Sequence, residues 1–414
     1  MDRPRLEVAE QAARNAGGRP VLSIEELVAR RPASATLPEG HRRGPAAIMY
    51  TSGTTSRPKG VLVSHENYVR VGRAMAGHLR MTAADRWLVV LPLFHANAQY
   101  YCLMSALVSG GSLALAPRFS ATGWARQARE MRATLASLFA APIRMILARS
   151  VADPADAANE LRVVLFAQNL TRGQATDFET RFGAPLIQLY GMTETVLPPL
   201  INPLGEHRRW ASVGQVLPGV AIRVLDPAGE PVAPGSPGEL VIGGVPGVDI
   251  TAGYHERPAE TAALLRDGWL HTGDVVRLDE QGRAFFVDRV KDMIKRSGEN
   301  IAAGEVERVL DEHPSVLESA VHGVPDPVHD EMIVAHVVTH AGRRVESGDL
   351  IAWCASHLPH FKVPGRVLLR PELPRTSVGK VRKDVLRAEA ACTGSTDPDA
   401  PSGSEGGSAH DEHG

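Results

Sequence analysis

The first half of the 414-residue chain alternates short apolar runs with amphipathic stretches. Apolar runs such as Leu186–Tyr190 predict buried strands, and stretches with apolar residues at helical spacing, such as Arg172–Phe182, predict helices between them. The predicted strands are 87–93, 112–116, 134–139, 161–166 and 186–190, and the predicted helices are 66–79, 124–132, 143–149 and 172–182. Strand and helix in alternation favour a layered α/β fold for this part.

The pattern changes after residue 210, which predicts further structural units. Residues 211–288 are rich in Gly, Pro, Val and Ile with short spacing, which predicts a β-rich, barrel-like subdomain. A smaller α+β unit is predicted over 291–388, with a helix at 303–312. The rest, 389–414, is rich in Gly, Ser, Asp and Pro and predicts a disordered tail. We therefore expect a core of residues 1–290, whose α/β part is 46–210, and a separate C-terminal domain.

Composition narrows the class of protein. The net charge of −2 gives no overall field that would attract nucleic acid or an anionic membrane. Three widely spaced cysteines form neither a disulfide framework nor a metal-ligand cluster, which fits a reducing compartment. The first residues lead into no apolar segment of a secretory signal, and the apolar stretch 101–116 contains two glycines and is short for a membrane span. These features predict a cytoplasmic protein without a membrane span or a nucleic-acid partner.

A loop between two predicted strands, residues 50–60, combines several hydroxyl residues, two glycines and a lysine. Its small residues allow backbone N–H groups and hydroxyls to approach a bulky anion, and its lysine adds a positive charge. The candidate phosphate ligands are Thr51, Ser52, Gly53, Thr54, Thr55 and Lys59. The Walker A pattern fails here, because Pro58 stands where glycine is required and Gly60 where Ser or Thr is required. A plain surface turn is the alternative interpretation.

Two more candidate stretches follow predicted strands. One holds a histidine that can face a substrate, although a lone histidine beside apolar residues more often only packs. The other offers a tyrosine that can stack on a base, a glycine for close backbone approach, a hydroxyl and a carboxylate that suits Mg²⁺. A solvated turn is the alternative for the second stretch. The residues concerned are Phe94, His95, Tyr190, Gly191, Thr193 and Glu194.

Candidates nearer the C-terminus are mostly charged. Asp274 is a carboxylate of the kind that accepts hydrogen bonds from the two hydroxyls of a ribose. It is followed by a charged, mainly basic run, which taken alone predicts a solvated surface. A Gly-Lys pair much later in the chain, taken alone, predicts a turn. The residues of interest there are Arg289, Lys291, Lys295, Gly298 and Lys380.

Together and in this order, these stretches resemble the adenylate-forming superfamily of acyl-CoA synthetases, luciferases and peptide-synthetase adenylation domains. The resemblance covers about residues 46–386 and implies ATP, Mg²⁺ and CoA as cofactor and co-substrates. It implies that Glu194 holds the metal, that Asp274 and Arg289 contact ribose and phosphate, and that Tyr190 and Gly191 lie at the adenine. It also implies that Lys380 is catalytic together with His95, Glu194 and Thr193, that the C-terminal domain rotates about Lys291, and that Lys295 and Gly298 line a thiol tunnel.

Within the superfamily, the chain resembles the crotonobetaine/carnitine–CoA ligases and related bacterial acyl-CoA ligases, on the strength of residues 56–57, 168–171, 208–214 and 291–296. The segment Ala167, Gln168 and Asn169 departs from the Gly-Gly-Ala type usual in the superfamily, so we expect it, with Phe94, to shape the substrate pocket differently. The stretch ahead of the phosphate loop is shorter than in other members. We therefore expect either a misassigned start or a shortened variant whose sheet edge a partner covers.

The expected activity is an AMP-forming acyl-CoA ligase acting on a small-molecule carboxylic acid. Two alternatives remain open at this point. The same adenylation can serve another acceptor or acid, as in loading of a carrier protein or activation of nitrite for diazotising an aryl amine. The chain can also be a truncated, non-catalytic subunit, and an oligomer is compatible with either reading.

Overall fold

The computed structural model describes residues 10, 11, 14, 41–51, 58–205, 207–296, 299–376 and 381–393, with the backbone alone for Lys291 and 391–393. The chain divides into two compact units, 1–41 and 42–414. The following account concerns the second unit. Within the described residues, no helix has both the length and the apolar character needed to cross a membrane.

A hairpin opens the second unit. Strands β1 (Pro45–Thr51) and β2 (Lys59–Ser64) pair antiparallel, with Thr51 opposite Lys59. Ser64 then caps helix α1 (His65–His78), because its hydroxyl accepts a hydrogen bond from the backbone N–H of Asn67 while the Asn67 side chain accepts one from Ser64. The two predicted strands around the phosphate loop are therefore present.

A seven-stranded sheet forms the α/β part, in the order β4-β3-β5-β6-β7-β8-β9. The first five strands are parallel and the last two are antiparallel. Its strands are β3 (Arg86–Val89), β4 (Ser112–Leu115), β5 (Leu135–Phe139), β6 (Val163–Ala167), β7 (Leu186–Tyr190), β8 (Leu200–Ile201) and β9 (Gln215–Val216). The associated helices are α2 (Met104–Ser109), α3 (Trp124–Glu130), α4 (Ala140–Arg149) and α5 (Arg172–Phe182). The layered α/β prediction is confirmed, and the carboxyl ends of the parallel strands meet at one edge.

Two local features depart furthest from the prediction, while the bounds of several other elements differ by one to three residues. Strand β3 ends at Val89 rather than at 93, and Pro92 begins a turn in which its carbonyl accepts a hydrogen bond from the His95 N–H. Residues Asn97–Leu103 form a π-helix that periodicity did not predict. Asn97 and Tyr100 are buried within it, where they bond to Ser137 and to the backbone of Thr193, so tertiary contacts fix its conformation.

The β-rich part is a five-stranded antiparallel sheet, with the order β10-β11-β13-β12 and β14 paired to β13. Its strands are β10 (Ala221–Leu225), β11 (Pro237–Gly243), β12 (Leu265–Arg266), β13 (Trp269–Leu278) and β14 (Ala284–Arg289), and helix α6 (Pro258–Leu264) precedes β12. The register of β13 against β14 puts Asp274 directly opposite Arg289.

The C-terminal part has its own apolar core and a sheet in the order β16-β15-β18-β17, with β19 parallel to β18. Its elements are β15 (Ile294–Arg296), β16 (Glu299–Ile301), α7 (Ala303–Asp311), β17 (Val316–Asp326), β18 (Asp330–Thr339), α8 (Ser347–His357), β19 (Arg366–Leu369) and α9 (Lys383–Thr393). Helix α9 continues through 389–393, where the sequence predicted the start of the tail. The remaining residues of that predicted tail, 394–414, lie outside the described residues.

Candidate active site

The base of the phosphate loop is held against a distant segment of the chain. The backbone N–H of Leu62 donates to the carbonyl of Gly253 at 2.9 Å, and the N–H of His255 donates to the carbonyl of Gly60 at 2.7 Å. These bonds place Tyr254 beside the hairpin, with the Lys59 ammonium 5.0 Å from the centre of its ring. Thr51 and Lys59 are described. Ser52, Gly53, Thr54 and Thr55 lie outside the described residues.

Glu194 is a buried carboxylate beside this hairpin. Its Oε1 accepts a hydrogen bond from the Tyr254 hydroxyl at 2.8 Å, and its backbone carbonyl accepts one from Thr251 at 2.9 Å. Burial raises the pKa of Glu194, opposed by the Tyr254 hydrogen bond and by the charges of Arg289 and Lys59. A cation placed here would therefore relieve an energetically costly buried negative charge.

The donor set at Glu194 fits Mg²⁺. No group of three or more His, Cys, Asp or Glu side chains able to hold a metal occurs among the described residues. A site with one carboxylate suits Mg²⁺, which commonly completes its coordination with substrate phosphates and water. Glu194 would hold the ion, and a triphosphate bound beside Lys59, which shares the contact with Tyr254, would supply the other oxygens.

A second cluster is built around Asp274. Its Oδ2 accepts a hydrogen bond of 2.6 Å from the Tyr190 hydroxyl, and the Arg289 Nε lies 3.0 Å from its Oδ1 in an ion pair. The carboxylate is 2% exposed, yet Oδ1 accepts no well-aligned hydrogen bond from the described residues. Burial and the charge of Asp274 raise the pKa of Tyr190, so its hydroxyl remains a donor. Oδ1, whose one described partner is the poorly aligned Arg289 Nε, can therefore accept a hydrogen bond from a ribose hydroxyl.

The turn after β7 joins the two clusters, since Tyr190 begins it and Glu194 ends it. The intervening backbone packs closely on the π-helix: a Cβ on Gly191 would lie 2.6 Å from the Tyr101 hydroxyl oxygen. The Thr193 carbonyl accepts a hydrogen bond of 3.3 Å from Tyr100. Glycine at 191 is thus required by the close approach, and the Thr193 backbone is fixed by the π-helix.

His95 lies just before the π-helix. Its Nε2 is buried and has no hydrogen-bond partner in the described part of the chain, and burial lowers its pKa. The neighbouring Phe94 is 65% exposed, with its ring centre 5.0 Å from that of His95. A neutral imidazole with an unused nitrogen and an exposed aromatic face are suited to contact a bound acid.

The last residue of β6, Ala167, and the loop that follows it, with Gln168 and Asn169, form the next predicted segment. Gln168 has φ of +75°, a left-handed conformation, and its carbonyl accepts a hydrogen bond of 2.8 Å from the Gln188 side chain. The Asn169 carbonyl accepts one of 2.7 Å from Arg144 on α4. The loop conformation is therefore fixed from two sides, by β7 and by α4.

The remaining predicted residues are not joined to these clusters by any described contact. Lys295 is exposed on β15, and its backbone N–H donates to Glu331 at 2.7 Å. Lys291 lies in the 3₁₀ turn Val290–Asp292, where only its backbone is described. Gly298 and Lys380 lie outside the described residues.

Sequence reasoning missed Tyr254, which contacts both Glu194 and Lys59. The sequence carried only a weak signal there, because Gly253 before the tyrosine and Pro258 after it are typical of a turn. Pairing it with Glu194 required the fold, since 60 residues separate the two.

The model of the AMP-binding enzyme family matches residues 4–255, and the model of the AMP-binding enzyme C-terminal domain matches residues 305–380. The chain belongs to the AMP-binding enzyme family. The predicted resemblance to adenylate-forming enzymes is thereby confirmed, and the first match includes the hairpin, Glu194 and Tyr254.

Curated relatives and solved structures agree with this assignment. The chain is 37% identical over 343 residues to the crotonobetaine/carnitine–CoA ligase of Salmonella heidelberg, a match that covers 83% of the chain and 66% of the relative's length. ATP-bound MatB from Rhodopseudomonas palustris superposes with a TM-score of 0.80 at 30% identity, covering 86% of this chain and 70% of that one.

A third similar protein is the o-succinylbenzoate CoA synthetase of Bacillus subtilis. Its complex with the acyl-adenylate intermediate gives a TM-score of 0.74 at 30% identity, covering 84% of this chain and 70% of that one. Its complex with ATP and magnesium gives a TM-score of 0.77 at 29% identity, covering 90% of this chain and 76% of that one. This chain therefore shares its fold with a protein solved with ATP and with a CoA synthetase solved with its acyl-adenylate intermediate and with ATP and magnesium.

Proposed function

We propose that this AMP-binding enzyme activates a carboxylic acid with ATP and transfers the acyl group to the thiol of CoA. A carboxylate oxygen attacks the α-phosphorus, the bond to the β-phosphate breaks, and pyrophosphate leaves the acyl-adenylate. The CoA sulfur then attacks the acyl carbon, the bond to AMP breaks, and the thiol proton is released. The observation that supports the proposal is the convergence of Asp274, Glu194 and Lys59, from three distant stretches, around one corner of the molecule.

Asp274 would bind the ribose diol through Oδ1, which accepts no well-aligned hydrogen bond from the described residues, while Tyr190 and the Arg289 ion pair hold the carboxylate in place. Glu194 would hold Mg²⁺, which supplies charge compensation for the triphosphate when it is bound. Lys59 and the hydroxyls of the phosphate loop would bind the β- and γ-phosphates. The chemistry is mainly positioning and charge compensation, so no side-chain nucleophile is required.

The remaining roles rest on the resemblance to the family. Phe94 and His95 would border the acid, together with Ala167, Gln168 and Asn169. Lys380 would contact the carboxylate and the α-phosphate. Rotation of the C-terminal domain about Lys291 would then exchange Lys380 for the segment of Lys295 and Gly298, which would line the path of the thiol. A cytoplasmic location, an oligomeric state and a carrier protein as acceptor remain predictions.

A pyrophosphate-exchange screen tests the proposal directly. The purified chain is incubated with Mg·ATP, labelled pyrophosphate and panels of carnitine-like, aryl, dicarboxylic and fatty acids, and exchange into ATP is measured. We expect exchange with one class, followed by thioester when CoA is added. Exchange without thioester would assign another acceptor, and tight Mg·ATP binding without exchange on any acid would refute an adenylating activity.

A further inference from the structure

Arg144 lies on α4 at the edge of the α/β part. Two neighbouring residues of the helix, Ile143 and Ile146, are fully buried, so the helix has one fixed rotation on the sheet. The Arg144 guanidinium is consequently directed toward the loop after β6, where its Nη2 donates to the Asn169 carbonyl at 2.7 Å. One side of the guanidinium thus binds the loop of Gln168 and Asn169, which is proposed to shape the substrate pocket.

The other side of the same guanidinium faces two carboxylates of the C-terminal part. Asp311, the last residue of α7, has its Oδ2 3.9 Å from Nη2, and Glu318 on β17 has its Oε2 3.8 Å from Nη1. The side chains of Arg144, Asp311 and Glu318 are 16%, 13% and 11% exposed. Charges removed from water to this extent are screened less than surface pairs, so loss of the guanidinium would leave carboxylate charge buried without this partner.

The two carboxylates differ in the other groups that balance their negative charge. Glu318 also pairs with Arg375, which precedes Lys380 by five positions in the sequence. Asp311 accepts a hydrogen bond of 2.8 Å from Ser319, and the charge of Arg144 favours its ionised form against burial. Asp311 therefore depends on Arg144 when it is charged, whereas Glu318 connects Arg144 to the segment that carries Lys380.

We infer that Arg144 is a positioning residue that couples the Asn169 loop to the orientation of the C-terminal part. A guanidinium suits this place because it bonds a carbonyl on one edge while it faces carboxylates on another. Rotation of the C-terminal part about Lys291 would carry Asp311 and Glu318 away and leave Arg144 with Asn169 alone. The contact thus favours the orientation that the structure shows. Its kinetic consequence, though not the contact itself, rests on the proposed two-step reaction.

A distance measurement tests the coupling without requiring activity. Cysteines introduced at Ala148 and Pro314, both exposed, carry spin labels after Cys392→Ser, and pulsed dipolar spectroscopy gives the distance between them. We expect one dominant distance in the parent chain and at least about a fivefold larger second population in Arg144→Ala. Arg149→Ala, on the same helix and exposed, is the matched control and should leave the distribution unchanged.

Two further variants separate coupling from a local role in the helix. Arg144→Lys keeps the charge and should restore most of the parent distribution. Asp311→Asn should shift the distribution in the direction of Arg144→Ala, and the double variant should shift it by less than the sum of the two. Identical distributions for the parent chain and Arg144→Ala, or strictly additive shifts, would overturn the inference.

The kinetic consequence is measured with an acid found in the exchange screen. Arg144→Ala should change the ratio of pyrophosphate exchange to thioester formation from added acyl-adenylate by about fivefold or more, because one orientation is favoured less. An equal change in both rates would indicate a merely structural role and would contradict the coupling. If no acid supports exchange, the proposed function fails while the distance measurement still decides the inference.

Discussion

The Tyr254 hydroxyl donates a hydrogen bond of 2.8 Å to the Glu194 carboxylate, and the face of the same ring lies 5.0 Å from the Lys59 ammonium. One side chain thus joins the proposed metal ligand to the base of the phosphate loop. The hydroxyl favours the ionised carboxylate, and the ring position restricts the lysine. Tyr254 therefore fixes the proposed metal ligand and the proposed phosphate ligand relative to each other.

Replacing Tyr254 with Phe keeps the ring and removes the donor. Burial raises the pKa of Glu194 and the Tyr254 hydrogen bond opposes that effect, so the variant should raise this pKa further. The fraction of ionised Glu194 then falls. When the pH is lowered, the variant should therefore lose activity at a higher pH than the parent chain does. We expect exchange to fall about tenfold at neutral pH.

The measurement is the pH profile of exchange at several Mg²⁺ concentrations. Tyr68→Phe is the matched control, because its hydroxyl bonds to Gln99 instead of Glu194. It should leave the Mg²⁺ dependence unchanged. Identical acidic limbs for Tyr254→Phe and the parent chain would contradict the assigned influence on Glu194.

Asp274→Asn tests the proposed ribose contact. The substitution retains the size of the side chain but replaces one acceptor oxygen with a donor and removes the charge that balances Arg289. We expect the Kd for ATP to rise about 30-fold, from loss of a charge-assisted hydrogen bond. Asp279→Asn, in the β13–β14 turn beside Arg283, is the control and should bind ATP normally in calorimetry.

Local sequence patterns predicted helices and strands more accurately than they predicted contacts between distant residues. Strand β7 and helix α5 were predicted residue for residue, because their apolar spacing and the Thr171 cap are signals within a dozen residues. The charged residues Glu194 and Asp274 were singled out by motif. The Tyr254–Glu194 bond and the contacts of Arg144 were not predictable, because each joins residues that only the fold brings together.

A pH dependence of stability is expected from Asp311. Burial raises the pKa of Asp311 to about 7, with Arg144 and Ser319 opposing the shift and Glu307 and Glu318 adding to it. The folded state therefore binds more protons at Asp311 than the unfolded state between about pH 4 and 7. The contribution of this residue to stability is thus lost as the pH rises through that window.

Asp311→Asn should remove this slope. We expect the free energy of unfolding of the parent chain, relative to the variant, to fall by up to about 1.4 kcal/mol per pH unit as the pH rises toward 7. Denaturant unfolding at pH 5, 6, 7 and 8 gives the comparison. Parallel curves for the two proteins would show that Asp311 does not titrate differently on folding.

Two glutamates of α7, Glu305 and Glu307, each pair with a lysine from another element, and the last prediction compares the stability that the two pairs contribute. Lys383 on α9 lies 2.7 Å from Glu307, and its charge also opposes the effect of burial on Asp288 at the end of β14. Asp288 in turn accepts a hydrogen bond of 3.1 Å from the Gly304 N–H. Lys362 lies 2.7 Å from Glu305, the adjacent acidic residue of the same helix.

Lys383→Met should leave both Glu307 and Asp288 without their balancing charge and lower the free energy of unfolding by about 2 kcal/mol. Lys362→Met should cost about 1 kcal/mol or less, because Glu305 is more exposed and can be solvated. Asp288 precedes Lys291 by three residues, so the first variant should also loosen the C-terminal part in the spin-label measurement while the second should not. Equal losses of stability and equal distance distributions for the two variants would mean that Lys383 acts within the C-terminal part alone.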